Sequence, residues 1–439
     1  MGGTGSERAR RRWAIGPLLG LLVVAGVCTA AVPAQRTLQA RAAVVTPVPA
    51  GAPDTAAATR LSAVRALLDR RGAALVRHDR AGWLAGVDPA ATALRTRQAA
   101  LLADIAAVPL GIWRYSVEPG DQTGRAERGG SWTVLVTLHY TLRGVDTVPT
   151  QRPVVLTFAQ RSGRWLIAAD DRTAPDGSRT WRGPWEHGRV LVRQGVHSLV
   201  LAHPANAGRL AGFAAAVDAV VPRVRRVVGG RLPTRVAVIV PDDQKEMAAL
   251  VGEHLVLGTI AAVAVADSVD TARDRAVGQR VVVNPANIDR LGTLGRRVVL
   301  EHEVTHIATR GFTGATMPIW LVEGLADWVG YSDSGLSAYQ VGDQLRSALR
   351  AGGWPGRLPV QADFRGDSPR LALAYEEAWS ACRLIAGRAG PAALIRLYRA
   401  VGTAADPAAA LDRQLRATVG QGTAQFTATW RAGVRAEFG

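Results

Sequence analysis

The chain has 439 residues, 48% of them hydrophobic, so it is long enough for about two domains with real cores and lacks the composition of a disordered protein. Its formal net charge of +17 comes from arginines spread through every segment, which argues against a dedicated nucleic-acid-binding surface. We therefore expect no nucleic-acid partner, and an anionic lipid or cell-wall polymer is the better match for the charge.

The first 34 residues are predicted to be a targeting segment. Arginines between positions 8 and 12 precede an apolar run over residues 13–32, which is long enough to cross a hydrocarbon layer of about 30 Å as a helix. Positive charge ahead of the run keeps the N-terminus in the cytoplasm. A cleavable signal peptide is the alternative, because Val32-Pro33-Ala34 resembles a small-residue cleavage site. In either case we expect the folded domains outside the cytoplasm, anchored to the cell membrane by a single span or secreted.

The two cysteines, Cys28 and Cys382, allow no internal disulfide in the exported part, because Cys28 belongs to the targeting segment. A lipid anchor on Cys28 is not favoured, since Val27 precedes it where a lipobox has a small residue. Cys382 stands in a helical pattern among apolar residues, which predicts a buried and unreactive thiol.

Residues 35–57 are predicted to be a linker, since Pro47, Pro49 and Pro53 interrupt an alanine- and valine-rich stretch that has no amphipathic period. From about Thr59 onward, apolar residues recur at helical spacing and predict two successive helices.

Strands follow these helices. The alternation of apolar and polar residues over 132–142 predicts a half-buried strand, and residues 154–160 and 165–169 flank Ser162-Gly163 as a hairpin. Helices followed by an antiparallel sheet over residues 58–175 resemble the cone-shaped fold of the nuclear transport factor two superfamily. The resemblance implies a small α+β module. Some members of that superfamily bind small ligands in the cone, and a spacer or docking role is the simpler interpretation.

Trp181 and Trp185 mark the boundary to a second domain, residues 185–439. A helix is predicted over residues 210–228. Apolar runs predict strands at 189–192, 198–202, 235–240, 260–265 and 280–284. This order of elements predicts an α+β lobe, followed by helices up to the C-terminus.

The second domain contains H-E-x-x-H. On a helix, His302 and His306 stand one turn apart on the same face, so both imidazoles can bind one metal ion while Glu303 projects beside them toward a bound water. Catalytic zinc has three protein ligands and an open fourth position, and Glu323, seventeen positions beyond His306, offers the third ligand. Asp327, one turn after Glu323, can accept the second ring N–H of a ligating histidine. We expect one Zn²⁺ per chain.

The stretch H-E-V-T-H at 302–306, followed by W-L-V-E-G-L-A-D at 320–327, resembles the gluzincin zinc metallopeptidases, in particular bacterial proteins with a "peptidase MA-like" domain. The resemblance implies a thermolysin-like α+β core over residues 185–439 with a helical C-terminal lobe, zinc on His302, His306 and Glu323, and Glu303 as general base. It also implies that a strand before the metal helix forms the rim of the cleft. Residues 261–265 are the candidate for that rim, where a peptide substrate adds as an extra strand.

A second catalytic residue is predicted at Tyr375, which lies at the start of a predicted helix, fifty-two residues after Glu323. Its position resembles that of the tyrosine that follows the zinc motif in related peptidases, which donates a hydrogen bond to the oxyanion of the tetrahedral intermediate. A structural tyrosine is the alternative. His254, Tyr331 and Tyr339 are the substitutes for the donor role.

The G-x-M-E-N stretch of the aminopeptidase branch does not occur between Trp185 and His302, which favours an endopeptidase acting on a peptide or protein substrate. The rival interpretation is a noncatalytic cell-envelope binding protein that keeps zinc for structure. A structural zinc site has no need of a base beside its metal, so Glu303 favours the peptidase.

Overall fold

The structure is a computed structural model that describes residues 55–117, 130–174, 177–229, 231–252, 258, 260–354 and 356–439. The predicted targeting segment and the predicted linker up to residue 54 lie outside these residues. Within the described ranges, no helix is both long and apolar enough to cross a bilayer.

The N-terminal module packs helices against an antiparallel half-barrel sheet with the strand order β1-β2-β3-β4. Its elements are α1 (Thr55–Val76), α2 (Arg80–Ala85), α3 (Thr92–Asp104), β1 (Leu110–Ser116), β2 (Ser131–Leu142), β3 (Thr150–Arg161) and β4 (Arg164–Ala169). Helix α1 begins at Thr55, so the last residues of the predicted linker are helical. Strand β1 was not predicted, because a bulge between Leu110 and Trp113 interrupts the alternation of its side chains.

A five-stranded mixed sheet forms the next layer, with the order β5-β6-β7-β11-β8. Strands β6, β7 and β11 run parallel, and the two outer strands run antiparallel to their neighbours. The strands of this sheet are β5 (Leu191–Gln194), β6 (Ser198–Ala202), β7 (Val236–Val240), β8 (Ala262–Val265) and β11 (Arg280–Val283). Between β8 and β11 the chain forms a separate hairpin of β9 (Ser268–Asp270) and β10 (Arg275–Val277). Strand β8 therefore lies at an edge of the mixed sheet.

The two faces of the mixed sheet bury different partners. On one face, Val200 and Val238 pack into the core with helix α4 (Leu210–Val228). On the other face, Leu199 and Leu201 belong to the same apolar cluster as Trp113 of the N-terminal module. Successive residues of a strand point to opposite faces, which explains how one strand serves both cores.

The remaining chain is mostly helical. Its helices are α5 (Gln244–Val251), α6 (Pro285–Ile288), α7 (Thr293–Thr309), α8 (Ile319–Ser332), α9 (Ala338–Val341), α10 (Asp343–Arg350), α11 (Leu371–Ala389), α12 (Pro391–Gly402), α13 (Pro407–Val419) and α14 (Thr423–Phe438). Helix α7 packs between β8, α4 and α8, and α8 packs against α11. The described chain is thus a mixed α+β fold with a largely helical C-terminal region.

Helices α8 and α11 approach each other closely at Gly324. A Cβ atom at this position would lie 2.2 Å from the carbonyl oxygen of Ala378 and 2.9 Å from Sγ of Cys382, so only glycine fits. Cys382 is fully buried in this contact, as its sequence context predicted. This close approach places α11 beside Glu323, the residue that precedes Gly324 in α8.

Candidate metal centre

Helix α7 carries His302, Glu303 and His306 into the protein interior. Residues 298–309 are all buried, because other elements cover the helix on several sides. His302 and Glu303 have no exposed surface, and His306 is 7% exposed. Burying imidazole and carboxylate groups costs free energy unless they find partners, so their position calls for a ligand or a hydrogen-bond network.

Helix α8 supplies the acidic residues that meet them. Glu323 and Asp327 are both buried, one turn apart on the side that faces α7. Oδ1 of Asp327 lies 2.7 Å from Nδ1 of His302. If His302 is neutral and donates its ring N–H in this hydrogen bond, its lone pair lies on Nε2, which is then available to a metal ion.

The Nε2 atoms of the two histidines and the carboxylate of Glu323 converge on one point. His302 Nε2 lies 2.9 Å from His306 Nε2 and 3.3 Å from Oε2 of Glu323. His306 Nε2 lies 3.5 Å from Oε1 of Glu323. His302, His306 and Glu323 each offer one potential ligand atom, and these three atoms lie within 4.8 Å of one another.

This arrangement fits a metal ion. Both carboxylate oxygens of Glu323 are buried and have no hydrogen bond of standard geometry. Burial raises the pKa of Glu323, but the adjacent His306 and His302 outweigh burial and lower that pKa to about 2. The carboxylate is therefore ionised, and two imidazoles with one carboxylate form a donor set found in catalytic zinc sites. The predicted group of His302, His306 and Glu323 is thus present as a buried, metal-compatible cluster.

Glu303 lies between this cluster and the edge strand. Its Oε2 accepts a hydrogen bond of 2.6 Å from the backbone N–H of Ala264 in β8, and its Oε1 is buried with no hydrogen-bond partner. Burial raises the pKa of Glu303 to about 8, with His302 opposing the rise and the charge of Glu323 adding to it. A carboxylate with a free oxygen and a raised pKa is suited to taking up and releasing a proton.

Arg310, one turn beyond His306, was not singled out in the sequence. Its Nη2 donates a hydrogen bond of 2.8 Å to the carbonyl oxygen of Ala264. Glu303 and Arg310 therefore hold both backbone polar groups of one residue in β8. The one-turn spacing between His306 and Arg310 could have indicated that Arg310 lies near the centre. Its partner, Ala264, could not be predicted because it lies in a strand that is distant in sequence.

Tyr375 lies close to the same cluster. It is buried near the start of α11, and its ring centroid is 6.3 Å from that of His302. Burial, together with the charges of Glu323, Asp327 and Glu303, raises the pKa of the Tyr375 hydroxyl well above its ordinary value. The hydroxyl thus stays protonated, as a hydrogen-bond donor must.

The predicted substitutes for Tyr375 are differently placed. Tyr339 is 55% exposed and packs under the guanidinium of Arg346. Tyr331 packs edge-on against Trp379. His254 lies outside the described residues. Of the three tyrosines considered, Tyr375 is the one that contacts the ring of a predicted ligand.

No known protein family and no curated protein matches this chain.

Asp327→Ala should weaken metal binding by about 10- to 100-fold, because His302 loses the carboxylate that fixes its tautomer and orientation. Affinity is measured by competition with a chromophoric chelator. Asp327→Asn is the control, since its side-chain oxygen can still accept the ring N–H, and we expect it to lose less affinity. Wild-type affinity in Asp327→Ala would show that Asp327 does not orient the ligand.

Proposed function

We propose that the chain is a zinc-dependent peptidase, of the endopeptidase type, that hydrolyses peptide bonds in an extended segment of a protein substrate. The observation that carries the proposal is Glu303, which stands with a free buried oxygen between the His302, His306 and Glu323 cluster and the edge strand β8. A purely structural metal site would need no carboxylate in this position.

The chemistry of the donor set favours zinc. Two imidazoles and one carboxylate are a ligand set typical of catalytic zinc. When bound, zinc would acidify a water molecule and polarise the substrate carbonyl. His302, His306 and Glu323 would hold it, and Asp327 would keep His302 in the ligating tautomer.

The remaining chemistry belongs to Glu303 and Tyr375. As the water oxygen bonds to the carbonyl carbon, Glu303 takes the proton of the water, and the carbonyl π electrons move to the oxygen. Tyr375 donates a hydrogen bond to that oxyanion. When the C–N bond breaks, Glu303 passes its proton to the leaving nitrogen, which gives a free amine and a carboxylic acid.

The edge strand supports a peptide as the substrate. Among the described residues, no strand pairs with β8 on the side away from β11, and an extended peptide can add to such an edge through main-chain hydrogen bonds at the positions that Glu303 and Arg310 do not occupy. Ala264 of this strand contacts Glu303 directly, so a peptide beside β8 would pass next to the proposed base.

The decisive experiment measures metal content and hydrolysis on the same sample. We expect one zinc per chain by elemental analysis and cleavage of an unstructured protein. Cleavage should be lost on treatment with a chelator and regained on adding Zn²⁺. Cleavage that survives complete metal removal would overturn the proposal. One zinc per chain with no cleavage of any unstructured protein would favour the noncatalytic envelope-binding protein instead.

A further inference from the structure

Four charged side chains are buried together where the N-terminal module meets the mixed sheet. Asp146, after β2, accepts two hydrogen bonds from Arg280 at the start of β11, at 2.8 and 2.6 Å. Arg152 of β3 forms an ion pair with Asp267, which follows β8. All four side chains are less than 10% exposed.

These two ion pairs connect the N-terminal module to the paired ends of β8 and β11, where the chain leaves and re-enters the mixed sheet. Arg280 is the partner of Val265, the last residue of β8, in the antiparallel register. Asp267 lies two residues further on, and its backbone N–H donates to the carbonyl oxygen of Val277 at 2.8 Å. Gly278 packs directly on the Asp267 carboxylate, since a Cβ there would lie 2.2 Å from Oδ2. The N-terminal module therefore contacts both the segment that follows β8 and the start of β11.

The segment that contains Asp267 lies only a few residues from the metal centre. Ala264 is three positions before Asp267, and it holds Glu303 through its N–H and Arg310 through its carbonyl oxygen. A shift of β8 would move Ala264 and, with it, the oxygen of Glu303.

Stability alone does not account for this cluster. Removing two ion pairs from water costs about as much free energy as their attraction returns, so apolar or neutral residues would serve stability as well. What the ion pairs add is a fixed position, above all through the two parallel hydrogen bonds between Arg280 and Asp146.

We infer that the N-terminal module is a positioning element for the metal centre, in which Asp146 and Arg152 hold β8 against Glu303 through Arg280 and Asp267. Glu303 remains the catalytic residue, and the four charged residues act through β8. The part of this inference that concerns turnover depends on the proposed peptidase function, and the part that concerns β8 does not.

The test uses the full chain with Arg152→Met and Asp267→Asn combined. This variant removes one positive and one negative charge and leaves Asp146 and Arg280 paired. We expect zinc content and melting temperature close to wild type. We also expect amide hydrogen exchange in residues 262–265 to be about 10-fold faster, because β8 opens more readily. The value of kcat should fall by about 10- to 100-fold, since a displacement of about 1 Å in the catalytic geometry costs about 100-fold.

The matched control is Arg161→Met with Asp88→Asn. Arg161 lies on the same strand as Arg152, and its ion pair with Asp88, at 2.9 Å, stays inside the module. This variant should keep wild-type exchange in β8 and wild-type kcat. Equal exchange in the two double variants would overturn the inference.

If the Arg152→Met, Asp267→Asn protein fails to fold, the same measurements are made on Arg152→Lys. This variant keeps the positive charge but loses the planar guanidinium. Exchange in β8 should then rise by a smaller factor, and wild-type exchange would again overturn the inference. Hydrogen exchange is measured without substrate. A wild-type protein that cleaves nothing would therefore remove the peptidase proposal and leave this result interpretable.

Discussion

Glu303→Gln should reduce kcat by about 100- to 10,000-fold while the protein keeps its zinc, because general acid–base catalysis contributes rate factors of this size. Glutamine has nearly the same shape as glutamate, and its side-chain oxygen can still accept the N–H of Ala264. It cannot take a proton from water at neutral pH. The measurement is turnover of a fluorogenic unstructured peptide, with zinc content determined on the same preparation.

Glu301→Gln provides a control from the same helix. Glu301 is also buried on α7, but its carboxylate lies near Arg223, at 3.8 Å, and it is not part of the predicted metal-binding cluster. The same substitution there should leave kcat unchanged. Undiminished hydrolysis in Glu303→Gln would end the proposed mechanism, and equal losses in both variants would point to damage of the helix rather than to lost chemistry.

Tyr375→Phe should lower kcat by about 100- to 1,000-fold with little change in KM, since the hydroxyl acts mainly in the transition state and one oxyanion donor contributes about this much. The ring, which packs edge-on against Phe364 at 5.1 Å between centroids, is retained in the variant. We therefore expect a melting temperature near that of wild type and normal zinc content. Steady-state kinetics and thermal unfolding separate the two quantities.

Tyr398→Phe is the matched control for a structural hydroxyl. Tyr398 is equally buried, and its hydroxyl lies 2.8 Å from Oγ1 of Thr313, four residues beyond the end of α7. Losing that hydrogen bond should cost about 1 kcal/mol of stability and leave kcat unchanged. If Tyr375→Phe behaves like Tyr398→Phe, the tyrosine is structural and the oxyanion donor lies elsewhere.

The features of the centre that the sequence predicted are those that depend on local spacing. Four residues make one helical turn, so the pairs His302 with His306 and Glu323 with Asp327 had to share a helix face once α7 and α8 formed. The structure confirms that His302, His306 and Glu323 come together as a buried cluster. The predicted α+β class is confirmed as a mixed fold with a largely helical C-terminal region.

Features that depend on contacts between residues far apart in the sequence could not be predicted from local spacing. The meeting of Arg310 with Ala264 joins a helix to a strand 46 positions away, and no periodicity reports it. The pairing of Asp146 with Arg280 spans 134 positions. Local spacing also did not reveal that α7 is buried along its whole second half, because neighbours far apart in sequence cover it.

The junction between the two predicted domains determines how the chain can be divided. Trp185 packs at 5.5 Å from Trp113 and at 5.4 Å from Tyr140, between ring centroids, and it shares their cluster with Leu199 and Leu201 of the mixed sheet. A fragment beginning at Trp185 would present this apolar sheet face to water, and exposed apolar faces of this kind promote aggregation. We therefore expect a fragment beginning at Trp185 to be poorly soluble on its own, and both predicted domains should melt together in one cooperative transition.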